Sequence, residues 1–243
     1  MIRITTFDSG SAGNSYLIDD GFSQIILEAG VPLKTIQQKM GHDLSKVAGV
    51  LITHEHRDHC KYIKSLVDAT SVDFYATSGT IEAMFQDSVL KLKQLNKYRF
   101  RPVQYKETTK VGTWYITPFE TKHDVAEPCG FLIDNITGER LVFITDSYYV
   151  KYQFPRVTHM MVEANYSEEI IEKKLGNERF NKQLKTRVKG SHFDLANTIE
   201  FIKINRSPLL QEIHLIHLSD SNSNAKEFKN EVQKVSGVPV YIA

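Results

Sequence analysis

The chain has 243 residues, 41% of them hydrophobic, and 30 basic against 29 acidic side chains leave a net charge of +1. That length suits one large α/β domain or two small ones, big enough to bury a core without disulfides. The two cysteines, Cys60 and Cys129, lie far apart and form no C-x-x-C pair, which excludes a disulfide framework and a thiolate zinc site.

That cysteine usage favours a reducing, cytoplasmic setting. The start lacks the apolar core of a signal peptide, and no run reaches the roughly 18 apolar residues of a membrane span. A near-neutral total selects no partner, since the distribution of charge decides that.

In chain order, short β-rich runs separated by turn residues come first: Ile2–Phe7, Ser15–Asp19 and Gln24–Glu28. Pro32 fits the first turn of a helix with Leu33, Ile36 and Met40 on one face, and Gly41 stands where a C-terminal cap belongs. Val47–Thr53 reads as a buried strand leading into Thr53-His54-Glu55-His56-Arg57-Asp58-His59. Helical spacing follows in Tyr62–Val67 and Thr80–Phe85. Strands are expected at Asp73–Ala76, Arg99–Tyr105, Thr113–Pro118, Gly130–Asp134, Arg140–Thr145 and His159–Ala164, with a hairpin turn at Asn135-Ile136-Thr137-Gly138. The remainder runs helix (Ser167–Leu175), helix (Asp194–Ile204), strand (Ile213–Leu218), helix (Ala225–Val235) and strand (Val238–Ile242). No repeat or linker interrupts residues 1–243, so one continuous α/β domain is expected, with two sheets packed face to face and helices outside.

Two stretches are basic. Lys91, Lys93, Lys97, Arg99, Arg101, Lys106 and Lys110 face a single acid, Glu107, and read equally as a solvated face. Arg179, Lys182, Lys185, Arg187 and Lys189 have no acid among them and precede His192, a placement that points to phosphate contact.

His54 and His56, two residues apart at a strand end, leave the same face, and Asp58 and His59 follow where the chain turns towards a helix. These nitrogen and oxygen donors suit zinc, iron or manganese. Further donors stand at other strand ends: His123 after Thr113–Pro118, Asp146 after Leu141–Thr145, and His217 after Ile213–Ile216. His214 faces the other way from His217, His159 begins its strand and His42 lies near a helix end, so all three read as structural or solvent-facing. Cys60 reads as a small buried residue, and Asp194 as the cap of the helix beside it, whose exposed amides suit a substrate phosphate.

The run His54–His59 followed by His123, Asp146 and His217 resembles the metallo-β-lactamase superfamily with its dinuclear site. The resemblance implies an αββα sandwich of two mixed sheets. It also implies that His54, His56 and His123 hold one metal, that Asp58, His59 and His217 hold a second, and that Asp146 bridges them. A narrower similarity is to the WalJ/YycJ group of bacterial DNA exonucleases. It rests on Ser9-Gly10-Ser11-Ala12-Gly13-Asn14, His123-Asp124-Val125-Ala126-Glu127-Pro128, Glu163-Ala164-Asn165 and His217-Leu218-Ser219. The chain departs at Glu28, where the superfamily usually has Asp, and at Tyr166, where that group usually has His. Glu163 and His192 resemble the catalytic Glu and His of ribonuclease Z in position and order. Cyclic-nucleotide phosphodiesterases of this fold share the metal motif, whereas lactonases, glyoxalase II and true β-lactamases share that motif alone.

The resemblance implies a nuclease on DNA or RNA with two divalent ions, zinc or manganese, and with Asp58, His192 and Glu163 as catalytic residues. Two metals about 3.5–4 Å apart can hold a bridging hydroxide and polarise the phosphoryl oxygen. His192 then protonates the departing oxygen while Glu163 holds its ring in the correct tautomer. The rivals are hydrolysis of a small cyclic phosphodiester, a lactonase- or thioesterase-like activity, and a scaffold that keeps metal only for folding. The expected partner is a nucleic acid or nucleotide and no membrane. Relatives imply a homodimer, on which no residue of this chain bears.

Overall fold

Short β-rich runs in the first third of the chain, separated by turn residues, make strands, and the apolar residues of intervening helices pack against them. The computed structural model describes residues 1–175 and 190–243. It resolves into two compact units, Met1–Glu120 with Val125–Glu139, and Thr121–Asp124 with Arg140–Ala243.

In the first unit β1 (Arg3–Asp8), β2 (Ser15–Asp19) and β3 (Gln24–Leu27) are antiparallel, with Ile4 opposite Ile18 and Leu17 opposite Ile26. β4 (Val47–Leu51), β5 (Asp73–Ala76) and β6 (Phe100–Pro102) continue the same sheet in parallel. Parallel strands are covered on both faces and read as apolar runs, which is why β4 is nearly all buried. Helices α1 (Leu33–Lys39), α2 (Arg57–Cys60), α3 (Ile63–Ala69) and α4 (Ser78–Gln86) lie between these strands in the chain. Ile36, Ile63, Leu66, Val67, Ile81 and Met84 pack with Val50, Ile52, Phe74 and Phe100 in one core. Burying each such Ile or Leu contributes about 1.5–3 kcal/mol. β7 (Thr109–Val111), β8 (Trp114–Glu120) and β9 (Cys129–Asn135) form an antiparallel meander in which Trp114 is fully buried.

The second unit is a parallel run of β10 (Arg140–Ile144), β11 (His159–Glu163), β12 (Glu212–Ile216) and β13 (Val240–Ile242). Its helices are α5 (Glu168–Leu175), α6 (Leu195–Asn205) and α7 (Ala225–Ser236). Asp194 caps α6 by accepting the Asn197 N–H at 2.7 Å, as its position in the sequence implies. Asn224 caps α7 in the same way, and Phe228 and Val232, one turn apart, bury that helix. Among the described residues no helix is long and apolar enough to cross a membrane.

Several local expectations change. Pro32 is the cap before α1 rather than its first residue, although Gly41 ends that helix at φ +63° as expected. The turn at Asn135–Gly138 is present, with Gly138 at φ +84° and the Asn135 side chain accepting from the Thr137 and Glu139 amides. The strand expected over Arg99–Tyr105 shrinks to Phe100–Pro102, preceded by a 3₁₀ turn at Gln94–Arg99. Pro102 has no amide to extend the ladder, and Arg99 is drawn inward to donate to the carbonyls of Val67 (2.6 Å) and Val72. β7, too short to show periodicity, was not expected. The first basic stretch is largely paired within the fold. Lys97 meets Glu82 at 2.5 Å, Arg101 meets Asp73 at 2.8 Å, and Lys110 lies over the Tyr115 ring. The second, Arg179–Lys189, lies outside the described residues.

Candidate functional site

In the first unit the donors sit just past β4 and in α2. His54, 1% exposed, follows Thr53, while His56 caps α2, which carries Asp58 and the fully buried His59. The ring centroids of His54 and His56 are 4.9 Å apart, and those of His54 and His59 are 4.2 Å apart. His59 Nε2 stands 3.3 Å from Asp58 Oδ2.

A support layer holds them. The Thr53 hydroxyl donates to Glu28 Oε1 at 2.6 Å and lies 2.9 Å from His54 Nδ1. A hydroxyl has one proton, so with Glu28 as a carboxylate Thr53 must accept from His54 Nδ1–H. That leaves Nε2 as the lone-pair nitrogen, the tautomer a metal needs. Burial pushes the Glu28 carboxyl up, and His59, 3.7 Å away, pulls it back. The longer arm of Glu, where the superfamily usually has Asp, still reaches Thr53.

The Ser9–Asn14 segment, part of the similarity to the exonuclease group, acts as a clamp. The Asn14 amide donates to the Asp58 carbonyl at 2.7 Å, and its side chain lies 3.4 Å from Asp58 Oδ2 and 3.3 Å from His59 Nε2. Gly30 closes the clamp, its amide donating to Asn14 O at 3.0 Å. A Cβ on Gly30 would meet the Asp58 carbonyl oxygen at 1.7 Å, so only glycine fits. Nothing in composition or periodicity marks Asn14 or Thr53; their signal is adjacency to the donor segments. Glu127, in the segment similar to the exonuclease group, accepts from Gly79 N at 2.6 Å at the start of α4. Cys60 is buried, with burial pushing its thiol up, as its reading as a packing residue requires.

The second unit gathers His123, Asp146, Glu163, His192 and His217. One ligand atom from each of Asp146, Glu163, His192 and His217 lies within 4.8 Å of the others. His123 Nε2 is 3.7 Å from Asp146 Oδ2, and the His123 and His192 rings are 5.8 Å apart. Glu163, fully buried at the end of β11, is the hub. Its Oε1 accepts from Nδ1 of His192 at 2.6 Å and of His217 at 2.9 Å. Its Oε2 accepts from the amides of Ser147 (3.2 Å) and Phe193 (3.1 Å). Burial works to raise this carboxyl, but the His192 charge and the imidazole hydrogen bonds outweigh it and hold it below the usual range. Burial likewise works against protonated His192, and Glu163 and then Asp146 raise its pKa above the ordinary value. Asn165 Nδ2 holds the His217 carbonyl at 2.9 Å.

Glu28, Asp146 and His217 share a backbone signature. Each follows a strand end and has positive φ, at 64°, 45° and 54°. Such conformations cost about 1–3 kcal/mol apiece outside glycine and cluster where side chains must be aimed at a functional centre. The histidines read as structural are placed accordingly. His214 Nε2 meets Glu212 at 3.0 Å, His159 Nδ1 meets the Thr158 hydroxyl at 2.8 Å, and His42 sits in the turn after α1. Tyr166 is buried, its carbonyl accepting from Leu195 N at the start of α6. The His/Asp clusters of both units are donor sets for divalent metal ions.

Comparison with known proteins follows the same direction. A family model described as "Beta-lactamase superfamily domain" matches residues 14–215. The exodeoxyribonuclease WalJ of Streptococcus pneumoniae serotype 2 is 28% identical over 231 residues, covering 90% of this chain and 82% of that protein. In fold, the chain is similar to the metallo-β-lactamase fold protein YhfI of Bacillus subtilis (TM-score 0.72, 17% identity, 100% and 96% of the two chains). It is also similar to the short form of human tRNase Z (TM-score 0.65, 14% identity, 100% and 95%). The expected α/β fold of the metallo-β-lactamase type is thereby established.

Proposed function

The chain belongs to the β-lactamase superfamily domain family, metal-dependent hydrolases in fold, and on that premise we propose that it is a dinuclear phosphodiesterase, a nuclease acting on DNA or RNA. The observation that carries the reading is the Glu163 hub, where one buried carboxylate oxygen orients both a ligand-type imidazole, His217, and a proton-donor imidazole, His192. A hydrolase that needed metal alone would have no use for the second. WalJ, 28% identical to this chain, is named an exodeoxyribonuclease, which supports the phosphodiester class.

The donor set fits the group it is asked to hold. Imidazoles and carboxylates without thiolates suit zinc or manganese. In this reading His54, His56, Asp58, His59, His123, Asp146 and His217 would supply the ligands of the two ions. When bound, the ions supply Lewis acidity and an acidified water. The protein's own residues do the rest. Thr53 and Glu163 fix the tautomers of His54 and His217. His192, kept protonated beside Glu163 and Asp146, gives its Nε2 proton to the departing oxygen. It then remains as a neutral ring donating from Nδ1 to Glu163. The same reading treats residues 1–243 as one hydrolase domain working in the cytoplasm.

A panel of linear DNA, linear RNA, cyclic nucleotides and a lactone, each with zinc and with manganese, tests it. Cleavage of linear strands is expected. Cleavage of cyclic nucleotides alone would move the assignment to the small-substrate class, and cleavage of the lactone alone would overturn the phosphodiester reading.

A further inference from the structure

The second unit holds a cavity of about 210 Å³ to which Tyr148, Tyr149, Tyr152, Phe193 and Phe201 contribute aromatic rings. Phe193 and Phe201 form its floor, with ring centroids 6.2 Å apart, and the run of rings continues from Phe201 to Phe154 at 6.4 Å and on to Tyr152 at 6.3 Å. Tyr148 and Tyr149 stand at its side with 44% and 56% of their surfaces open to solvent. Two large aromatic side chains exposed beside a cavity have no role in the core.

Its position is set by the chain itself. Tyr148 follows Asp146 by two residues and Phe193 follows His192 directly, so at about 3.8 Å per Cα step the Cα atoms of these two lining residues lie within about 8 Å of those of Asp146 and His192. The loop is held there. Ser147 N donates to Glu163, the Ser147 hydroxyl donates to the Tyr149 carbonyl at 2.9 Å, and Tyr148 N donates to Lys122 O at 3.1 Å. At its volume the cavity is smaller than the roughly 300–1,000 Å³ that holds a drug-sized ligand, so it takes one ring system and not a length of strand. Gln153, Asn197 and Glu200 add amide and carboxylate groups at the rim, the types that meet the edge of a base, and Lys151 adds a cation.

We infer that this cavity is a nucleobase subsite, in which a base stacks against Tyr148 and Tyr149 while its phosphodiester lies at Asp146 and His192. The assignment rests on the phosphodiesterase reading and narrows it to nucleotide substrates. Base stacking on aromatics is tolerant of sequence, since every base has a π-face.

The test separates binding from cleavage. Calorimetric titration of the full chain with dAMP and with 2-deoxyribose 5-phosphate compares ligands that share a phosphate and differ by the base. dAMP should bind roughly 5- to 150-fold more tightly, and Tyr149→Ala should shrink that gap while leaving the sugar phosphate unaffected. Tyr149→Phe should keep the gap. Both substitutions fall on an exposed side chain, so the fold survives them. Equal affinities, or a gap untouched in Tyr149→Ala and Tyr148→Ala alike, would overturn the subsite. A base-dependent gap in a protein that cleaves no phosphodiester would keep the subsite and sink the phosphodiesterase reading. A terminal abasic residue in an oligonucleotide identifies the source of the base: a raised KM with unchanged kcat assigns it to a strand end. A KM unmoved by the abasic residue, beside a dAMP gap, assigns it to a mononucleotide.

Discussion

Replacing Glu163 with Gln removes a charge and exchanges one acceptor for a donor while keeping the shape. The carboxylate accepts four hydrogen bonds, two from imidazoles at 2.6 and 2.9 Å and two from backbone amides at 3.1 and 3.2 Å. A Gln amide can satisfy only one of these pairs. If its oxygen stays with the imidazoles, its NH₂ faces the Ser147 and Phe193 amides, and two orphaned donors cost about 2–6 kcal/mol together. If it turns, His192 and His217 lose their acceptor. Either way His192 loses the nearer of the two carboxylates that raise its pKa and keeps only Asp146, 3.9 Å away. kcat on a linear phosphodiester should fall by about 10²–10⁴-fold while far-UV circular dichroism stays native. Because Glu163 acts partly through His192, the loss in the double variant Glu163→Gln/His192→Ala should be smaller than the product of the two single losses. Two rate losses that multiply, or a Glu163→Gln enzyme at wild-type rate, would refute the reasoning.

Asn14→Ala should weaken zinc binding by about 10–100-fold, since the Asn14 side chain touches Asp58 and His59, and competition with a chromogenic chelator measures this. Gly30→Ala should lower stability by about 1–3 kcal/mol or more in urea unfolding, its Cβ having to displace the Asp58 carbonyl; wild-type stability would contradict the clamp. Burial lowers the His214 pKa from the ordinary 6.5, against the opposing pull of Glu212. The folded state therefore binds fewer protons there than the unfolded chain. The stability from His214 is present above pH 6.5 and is lost as pH falls through the folded value. Wild type should lose more stability between pH 7.5 and 5 than His214→Phe, and equal losses would dismiss the effect.

The residues that were legible are those whose chemistry is written in local spacing. His54, His56, Asp58 and His59 fall within six positions, and Asp146 ends an apolar strand where an acid has no packing role. The parallel strands were legible as apolar runs. What spacing could not show is pairing across the chain. Glu163 and His192 meet over 29 positions because β11 ends where the turn before α6 arrives, and only their likeness to ribonuclease Z joined them beforehand. Asn14 and Thr53 act through one hydroxyl and one amide, groups common on any surface. β7 is too short for periodicity to register, β6 is shorter than the strand read over Arg99–Tyr105, and Arg99 read as part of a basic face although its guanidinium is spent on the carbonyls of Val67 and Val72. The positive φ of Glu28, Asp146 and His217 has no sequence signal at all, since none of them is glycine.

Metal content tests the central claim most directly. The full chain, stripped with a chelator and dialysed against zinc or manganese, should by elemental analysis regain about two ions per chain. His54→Ala should lose most of that content, and phosphodiester cleavage should vanish on stripping and return with the ions. A chain that takes up less than one ion, or that cleaves as well after stripping as before, would contradict the dinuclear centre.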